Sequence, residues 1–335
     1  RRSRRSSSNK TRLLVAMVIV LAAVLVAARL NLFSSGSESS GSRAQVALSP
    51  EKTRTSAVIE PTPTARPTPT ATPIPAPVKK TSAADPLVSA AGAAVVDERS
   101  GAVIYEKNSR AQRAPASITK IVTALVAIER AKPGDMVNAQ YDSAELIDST
   151  LMGLYPRDRI SLEDLLYGLM LPSGNDAALA IANHIAGSEA AFTDLMNSKM
   201  KELGLTDSHF VNAHGLDARG HYTSAYDMAM VSRYAMQSPL FRQLAAAKSH
   251  PVTLWRSGEK MSYDIYNLNK LLAQYTGADG IKIGYTENAG RTIVGSATRN
   301  GHRIYAAVLG SDDLWTDTPR LLDYVFQNFS WLDGN

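Results

Sequence analysis

The sequence predicts an α/β fold of the α+β kind, in which strands from both ends of residues 87–335 form one antiparallel sheet covered by helices. A mainly helical lobe is inserted between those strands. Strand patterns fall only at the two ends of this stretch, and helical periodicity fills its middle. Asn300-Gly301, set between two apolar runs, is the strongest two-residue hairpin signal in the chain. About 250 residues suffice to bury an adequate core without disulfides, and the chain has no cysteine.

Taken in order, Ala93–Glu98 and Ala102–Lys107 flank Arg99-Ser100-Gly101 and read as a hairpin. Ile118, Ile121, Val122, Leu125 and Ile128 recur at helical spacing over 118–130. Further helical patterns cover 161–170, 175–186, 189–203 with Gly204 as its stop, and 224–237. Arg291–Arg299 and His302–Leu309 form the hairpin around Asn300-Gly301. Thr318–Phe329 then reads as an amphipathic helix presenting Leu321, Leu322, Val325 and Phe329.

Upstream the texture differs. Residues 1–12 hold six Lys or Arg and no acid, and Leu13–Ala28 is an unbroken apolar run. Sixteen helical residues span about 24 Å, so a crossing of about 30 Å needs residues 13–33, with Arg29 reaching to the interface. Basic residues ahead of an apolar run orient the head to the cytoplasm and export the remainder of the chain. A cleaved signal peptide has the same layout, but no convincing A-x-A site comes just after the run, which favours an uncleaved single-pass anchor. Residues 34–86 are Ser/Gly-rich and then Pro/Thr-rich, with PTPTARPTPTATPIPAP at 61–77. Such a composition cannot bury a core and makes an extended tether.

The net charge of +5 raises nucleic-acid binding as a function class. The excess sits in the head, and residues 87–335 are net acidic, which argues against a phosphate-binding surface on the folded part. His209, His214 and His221 match no paired metal-ligand spacing, so neither a metal nor a cofactor is expected. Asp227 reads as a helix brace.

Chemistry is expected from hydroxyls and amines. Ser117 and Lys120 in Ser117-Ile118-Thr119-Lys120 are one helical turn apart, which sets a base beside a nucleophile. A lysine can take a serine proton only if burial or a second cation depresses its pKa. The spacing alone is common, since Ser7–Lys10, Ser49–Lys52, Ser198–Lys201 and Ser257–Lys260 share it, and a helix-capping serine would look the same. Ser173-Gly174-Asn175 falls between two helical patterns, where a loop can present a hydroxyl and an amide to a cleft. Lys282-Ile283-Gly284 opens the C-terminal sheet, where a strand can lay an amine along a substrate.

Ser117/Lys120, Ser173/Asn175 and Lys282/Gly284 stand in the order of the three motifs of serine penicillin-binding proteins and class A β-lactamases. With GNDAALAIA (174–182), NAHGLDARGHYTSAYDMA (212–229) and Gly280–Leu309, residues 87–330 resemble the D-alanyl-D-alanine carboxypeptidase family of low-molecular-weight penicillin-binding proteins. The resemblance implies a β-lactamase/transpeptidase-like fold and acyl transfer through a Ser117 acyl-enzyme. Lys120, kept neutral with the help of Lys282, would be the base, and Ser173 would relay a proton to the leaving amine. Asn175 would bind the substrate amide, and the backbone N–H groups of Ser117 and Tyr285, beside Gly284, would form the oxyanion hole. The implied substrate is a peptidoglycan stem peptide ending D-Ala-D-Ala, cut outside the membrane, with β-lactams as inhibitors.

Two positions depart from the family pattern. Ile283 stands where Lys-Thr-Gly has threonine, and Leu314 and Trp315 stand near an expected arginine that helps hold the substrate carboxylate. Arg291 and Arg320 are the substitutes the chain offers. A β-lactamase would need a Glu-x-x-x-Asn word between Ser173 and Lys282, and none occurs. A penicillin-binding or wall-binding module with little turnover is the alternative that Ile283 favours.

Overall fold

The computed structural model describes residues 74–142, 146 and 149–332. The head, the apolar run at 13–33 and most of the tether lie outside the described residues. Among the described residues no helix is long and apolar enough to cross a membrane.

The strands are β1 (Val78–Lys79), β2 (Gly92–Asp97), β3 (Val103–Lys107), β4 (Met136–Asn138), β5 (Arg159–Ser161), β6 (Ser249–Arg256), β7 (Glu259–Tyr266), β8 (Ala278–Thr286), β9 (Gly290–Arg299), β10 (His302–Ser311) and β11 (Phe329–Ser330). The helices are α1 (Lys120–Arg130), α2 (Leu162–Met170), α3 (Asn175–Ala186), α4 (Glu189–Glu202), α5 (Ala225–Ala235), α6 (Pro239–Ala246), α7 (Leu271–Gln274) and α8 (Leu314–Asn328).

Both chain ends build the central sheet, as expected. Its order is β3-β2-β10-β9-β8, antiparallel throughout. The sheet is covered on both faces, so β10 is apolar at consecutive positions. Tyr305, Ala307 and Leu309 join a large core with α1 to α6, while Ile304, Ala306 and Val308 join a smaller one under α8 with Leu321, Leu322 and Val325. The period-two alternation of a strand divides the two sets.

The inserted lobe is less purely helical than expected. It carries a second sheet, β4-β5-β6-β7. Its main hairpin turns at Ser257-Gly258, both at positive φ (53° and 89°), as a type I′ turn requires. Most of β7 is exposed, so it carries no apolar alternation, and the sequence reading missed it.

Two boundaries also differ. The tether reading extended to Pro86, yet β1 pairs with β11 through Val78↔Ser330 and Lys79↔Phe329, and Lys80 N–H donates to Asn328 O at 2.8 Å. Helix α8 starts at Leu314, not Thr318. The Asp313 carboxylate caps it by accepting Trp315 N–H at 3.0 Å, and Pro319 in the second turn removes one backbone donor without ending the helix.

Candidate active site

Ser117 lies on a 3₁₀ turn, Ala116–Thr119, that runs into α1. Ala116 there has φ 52°, a left-handed conformation that a non-glycine residue adopts only when its surroundings impose it. Those surroundings are specific. Thr292 on β9 donates its hydroxyl to Pro115 O at 3.0 Å, and Thr119 donates to Ala116 O at 2.8 Å. His221 approaches Thr119 Oγ1 with Nε2 at 3.0 Å, while its Nδ1 accepts Val211 N–H at 3.1 Å. Nδ1 therefore has no proton, Nε2 carries it, and the ring donates to Thr119. Burial first, with nearby positive charges second, pushes His221 down to about 4, so it stays neutral at ordinary pH.

Two glycines let other segments touch this turn. Gly215 has φ +98°, and a methyl there would overlap Ala116 O. A Cβ on Gly284 would stand 2.6 Å from Ser117 N and 2.7 Å from Thr292 Oγ1. Strand β8 thus passes directly beside the Ser117 backbone.

Lys120 is fully buried. Its Nζ lies 2.6 Å from Asn175 Oδ1, 2.6 Å from His214 O and 3.0 Å from Ser117 Oγ. Burial, reinforced by the positive charge of Lys282 and opposed by Asp176, holds its pKa well below the usual lysine range. That shift favours release of its proton, and once neutral the amine has two N–H donors and one lone pair. Asn175 Oδ1 and His214 O can only accept, so they take both hydrogens. The lone pair is left facing Ser117, whose hydroxyl must then donate to it. This is the arrangement of a general base.

Ser173 and Asn175 lie at the junction of α2 and α3. Thr150 donates its hydroxyl to Ser173 O at 2.8 Å, Asn175 N–H donates to Thr150 O at 2.8 Å, and Gly174 N–H donates to Gly168 O at 2.9 Å. Asp176, fully buried, accepts the N–H groups of Met152, Gly153 and Leu154 at 2.9 to 3.0 Å. The junction is fixed by hydrogen bonds on both sides. The Ser173 hydroxyl is the exception, buried with no partner among the described residues.

Lys282 is buried on β8, donates to Ile283 O at 3.1 Å, and is pushed by burial down to about 7. Ser117, Ser173, Asn175, Gly284 and Tyr285 line one cleft of about 510 Å³, together with Ile283, Arg291, Leu314 and Trp315. Lys120 lies beneath it, bonded to Ser117 and Asn175, and Lys282 is near enough to lower the pKa of Lys120. All seven residues singled out in the sequence therefore converge. Sequence reasoning missed Thr119, Asp176, Gly215, His221 as a turn brace and Thr292. The word at 212–229 contained two of these, but no spacing rule distinguishes a buried brace from an exposed polar residue. Asp227 is a brace, accepting Asp207 N–H at 2.9 Å and the Ser208 hydroxyl at 2.7 Å.

Comparison with known proteins agrees with this geometry. Residues 79–313 match the family described as D-alanyl-D-alanine carboxypeptidase. The chain is 33% identical over 248 residues to the D-alanyl-D-alanine carboxypeptidase DacF of Bacillus subtilis, a match covering 72% of this chain and 63% of that relative. It is 35% identical over 260 residues to DacD of Escherichia coli, covering 73% of this chain and 65% of the relative. The chain thus spans a little under two-thirds of the length of these relatives. Among solved structures it is similar to a Streptomyces DD-transpeptidase, with TM-score 0.70 and 28% identity over 73% of this chain and 100% of that one. It is also similar to penicillin binding protein 6B of Escherichia coli, with TM-score 0.67 and 34% identity over 76% of this chain and 83% of that one. A fold of this kind and a match across most of the sequence place the chain in the D-alanyl-D-alanine carboxypeptidase family.

Proposed function

We propose that this chain is a membrane-anchored serine D-Ala-D-Ala carboxypeptidase that trims peptidoglycan stem peptides outside the cytoplasm. The observation that carries the reading is the placement of the Lys120 amine, fully buried, held well below the usual lysine range and 3.0 Å from the Ser117 hydroxyl. Ser117 Oγ attacks the carbonyl carbon of the penultimate D-Ala while its proton passes to Lys120 Nζ. Negative charge builds on the carbonyl oxygen, where the Ser117 and Tyr285 N–H groups would receive it. Collapse breaks the C–N bond, and Ser173, whose hydroxyl has no competing partner among the described residues, passes its proton to the leaving amine of the terminal D-Ala and takes in its place the proton held by Lys120, which returns to its neutral form. Water then attacks the acyl carbon while its proton passes to Lys120, the bond from Ser117 Oγ to that carbon breaks, and Lys120 returns the proton to Ser117 Oγ as the shortened peptide leaves. β-Lactams acylate the same hydroxyl and block it. Anchoring through residues 13–33, with the domain beyond the membrane, belongs to this proposal and rests on the basic head and apolar run.

The test is D-Ala release from a diacetylated L-Lys-D-Ala-D-Ala peptide, with intact-mass detection of a penicillin adduct. The native chain is expected to do both and Ser117→Ala neither. Equal release by both proteins refutes the assignment. A native chain that takes the adduct but releases no D-Ala is a penicillin-binding module, the reading that Ile283 favours.

A further inference from the structure

We infer that the outer face of the second sheet carries a non-catalytic subsite for the peptidoglycan strand itself, where a sugar ring lies on Trp255 and stem-peptide carboxylates meet Arg157 and Arg159. The inference rests on the proposed carboxypeptidase reading for the identity of its ligand. It concerns a place outside the cleft, on residues that take no part in the chemistry.

Strand alternation makes the surface. Val137, Ile160 and Leu254 are buried in the main core, so their neighbours Asn138, Arg159 and Trp255 point the other way. The pairings Asn138↔Arg159, Arg159↔Trp255 and Trp255↔Lys260 set these side chains in one exposed row. Trp255 thus lies between two cations. The Arg159 and Lys260 side chains have no ion-pair or hydrogen-bond partner among the described residues.

The row shares Arg159 and Trp255 with a cavity of about 570 Å³ that Tyr155, Arg157 and Arg256 also line. Its walls are held in place. Asp158, buried, accepts Arg256 Nε at 3.0 Å and Nη2 at 2.7 Å, and the guanidinium stacks on Tyr155 at 3.9 Å from the ring centre. Arg157, at φ 77°, donates its N–H to Ala139 O at 2.7 Å and leaves its side chain exposed. Among the described residues lining the cavity, Asp158 is the one acid against three arginines, and it is already paired. Within residues that are net acidic as a whole, this is a local excess of positive charge.

An exposed indole offers a flat apolar face to the C–H face of a sugar, and free guanidinium forks beside it take carboxylates two bonds at a time. Peptidoglycan supplies both groups in each repeat, rings along the strand and carboxylates on the stems. One segment joins the subsite to the chemistry, because Ser149 and Thr150 line the cleft while Tyr155 and Asp158 line the cavity. Thr150 and Tyr155 are five residues, hence at most about 18 Å, apart. Leu151 and Tyr155 are exposed along the way. A strand whose stem peptide enters the cleft keeps a neighbouring repeat within reach of Trp255.

The experiment sets polymer against small substrate. The full chain in detergent, carrying Ser117→Ala so that turnover does not alter the ligand, is pelleted with purified sacculi stripped of phosphate-containing polymers by acid. The same surface substitutions without Ser117→Ala are assayed for D-Ala release from these sacculi and from diacetyl-L-Lys-D-Ala-D-Ala. Trp255→Ala, and Arg157→Gln combined with Arg159→Gln, should weaken pelleting about 10- to 30-fold, the loss of one or two anchoring side chains. Release from sacculi at limiting substrate should fall by a similar factor. Release from the soluble peptide and the melting temperature should match the native chain, and Trp255→Phe should keep part of the binding. Unchanged pelleting in both variants, or an equal loss on the soluble peptide, overturns the subsite while leaving the enzyme reading standing. Pelleting only with sacculi that retain their phosphate polymers also overturns it, since the surface then serves a different polyanion. Weakened pelleting in the variants of a chain that releases D-Ala from neither substrate supports the subsite and overturns the enzyme reading.

Discussion

Replacing Lys282 by methionine tests how far the buried amines are a cost that the fold carries for its site. Lys282 titrates near 7 in the folded chain instead of the ordinary 10.5, and burial is the cause. Between those values the unfolded chain holds a proton that the folded chain has released. Stability therefore rises with pH across that window and is flat in this respect below it, where both states are protonated. From pH 7 to pH 9 this one group adds about 2 kcal/mol of stability, most of 1.36 kcal/mol per pH unit. Lys282→Met removes the term, so the native chain should gain about 2 kcal/mol on the variant over that interval. Urea denaturation of both proteins at pH 7, 8 and 9 measures it, and taking the difference cancels groups common to both, such as the buried tyrosines. Parallel pH profiles would refute the claim that Lys282 is buried uncharged at high pH. Penicillin acylation should also fall at pH 7, because one of the two influences lowering the pKa of Lys120 has gone.

Asn175→Asp would put a carboxylate where Oδ1 now sits, 2.6 Å from Lys120 Nζ; an adjacent opposite charge raises a lysine pKa by about 1–3 units. Acylation at pH 7 should drop about tenfold or more and recover toward higher pH, and a pH–rate profile identical to the native one would count against Lys120 as base. Gly215→Ala adds a methyl that overlaps Ala116 O, at a residue with φ +98°. It should cost about 2–4 kcal/mol and displace Ser117, lowering both the melting temperature and the penicillin acylation rate.

How much could be read from the chain alone depends on where the physics is local. The β2–β3 and β9–β10 hairpins show themselves because turn chemistry and apolar runs are contiguous. Ser117 and Lys120 are separated by one turn of one helix, so their meeting needs no knowledge of the fold. Ser173, Asn175, Lys282 and Gly284 came through the resemblance, because no spacing rule brings position 282 to position 120. The braces stayed hidden for a related reason: His221, Thr119 and Thr292 gain meaning only through partners about a hundred or more residues away. The second sheet escaped because β4 and β5 are three residues each and β7 is largely solvent-facing. Arg291 was one of two arginines open as substitutes. Only the bond from Arg320 to Leu87 and the position of Arg291 in the cleft separate them.

Helix α8 begins with Leu314 and Trp315 in the cleft and ends at Asn328, where β1 and β11 pair. Fifteen residues make a rod of about 22 Å. A bead, tag or fluorophore fused directly ahead of Val78 would therefore hang at the handle of the tool and leave its jaw clear. Under the proposed function, surface-captured protein should accept insoluble sacculus fragments as readily as free protein does, which makes N-terminal immobilisation the natural format for testing that reading on polymeric wall material.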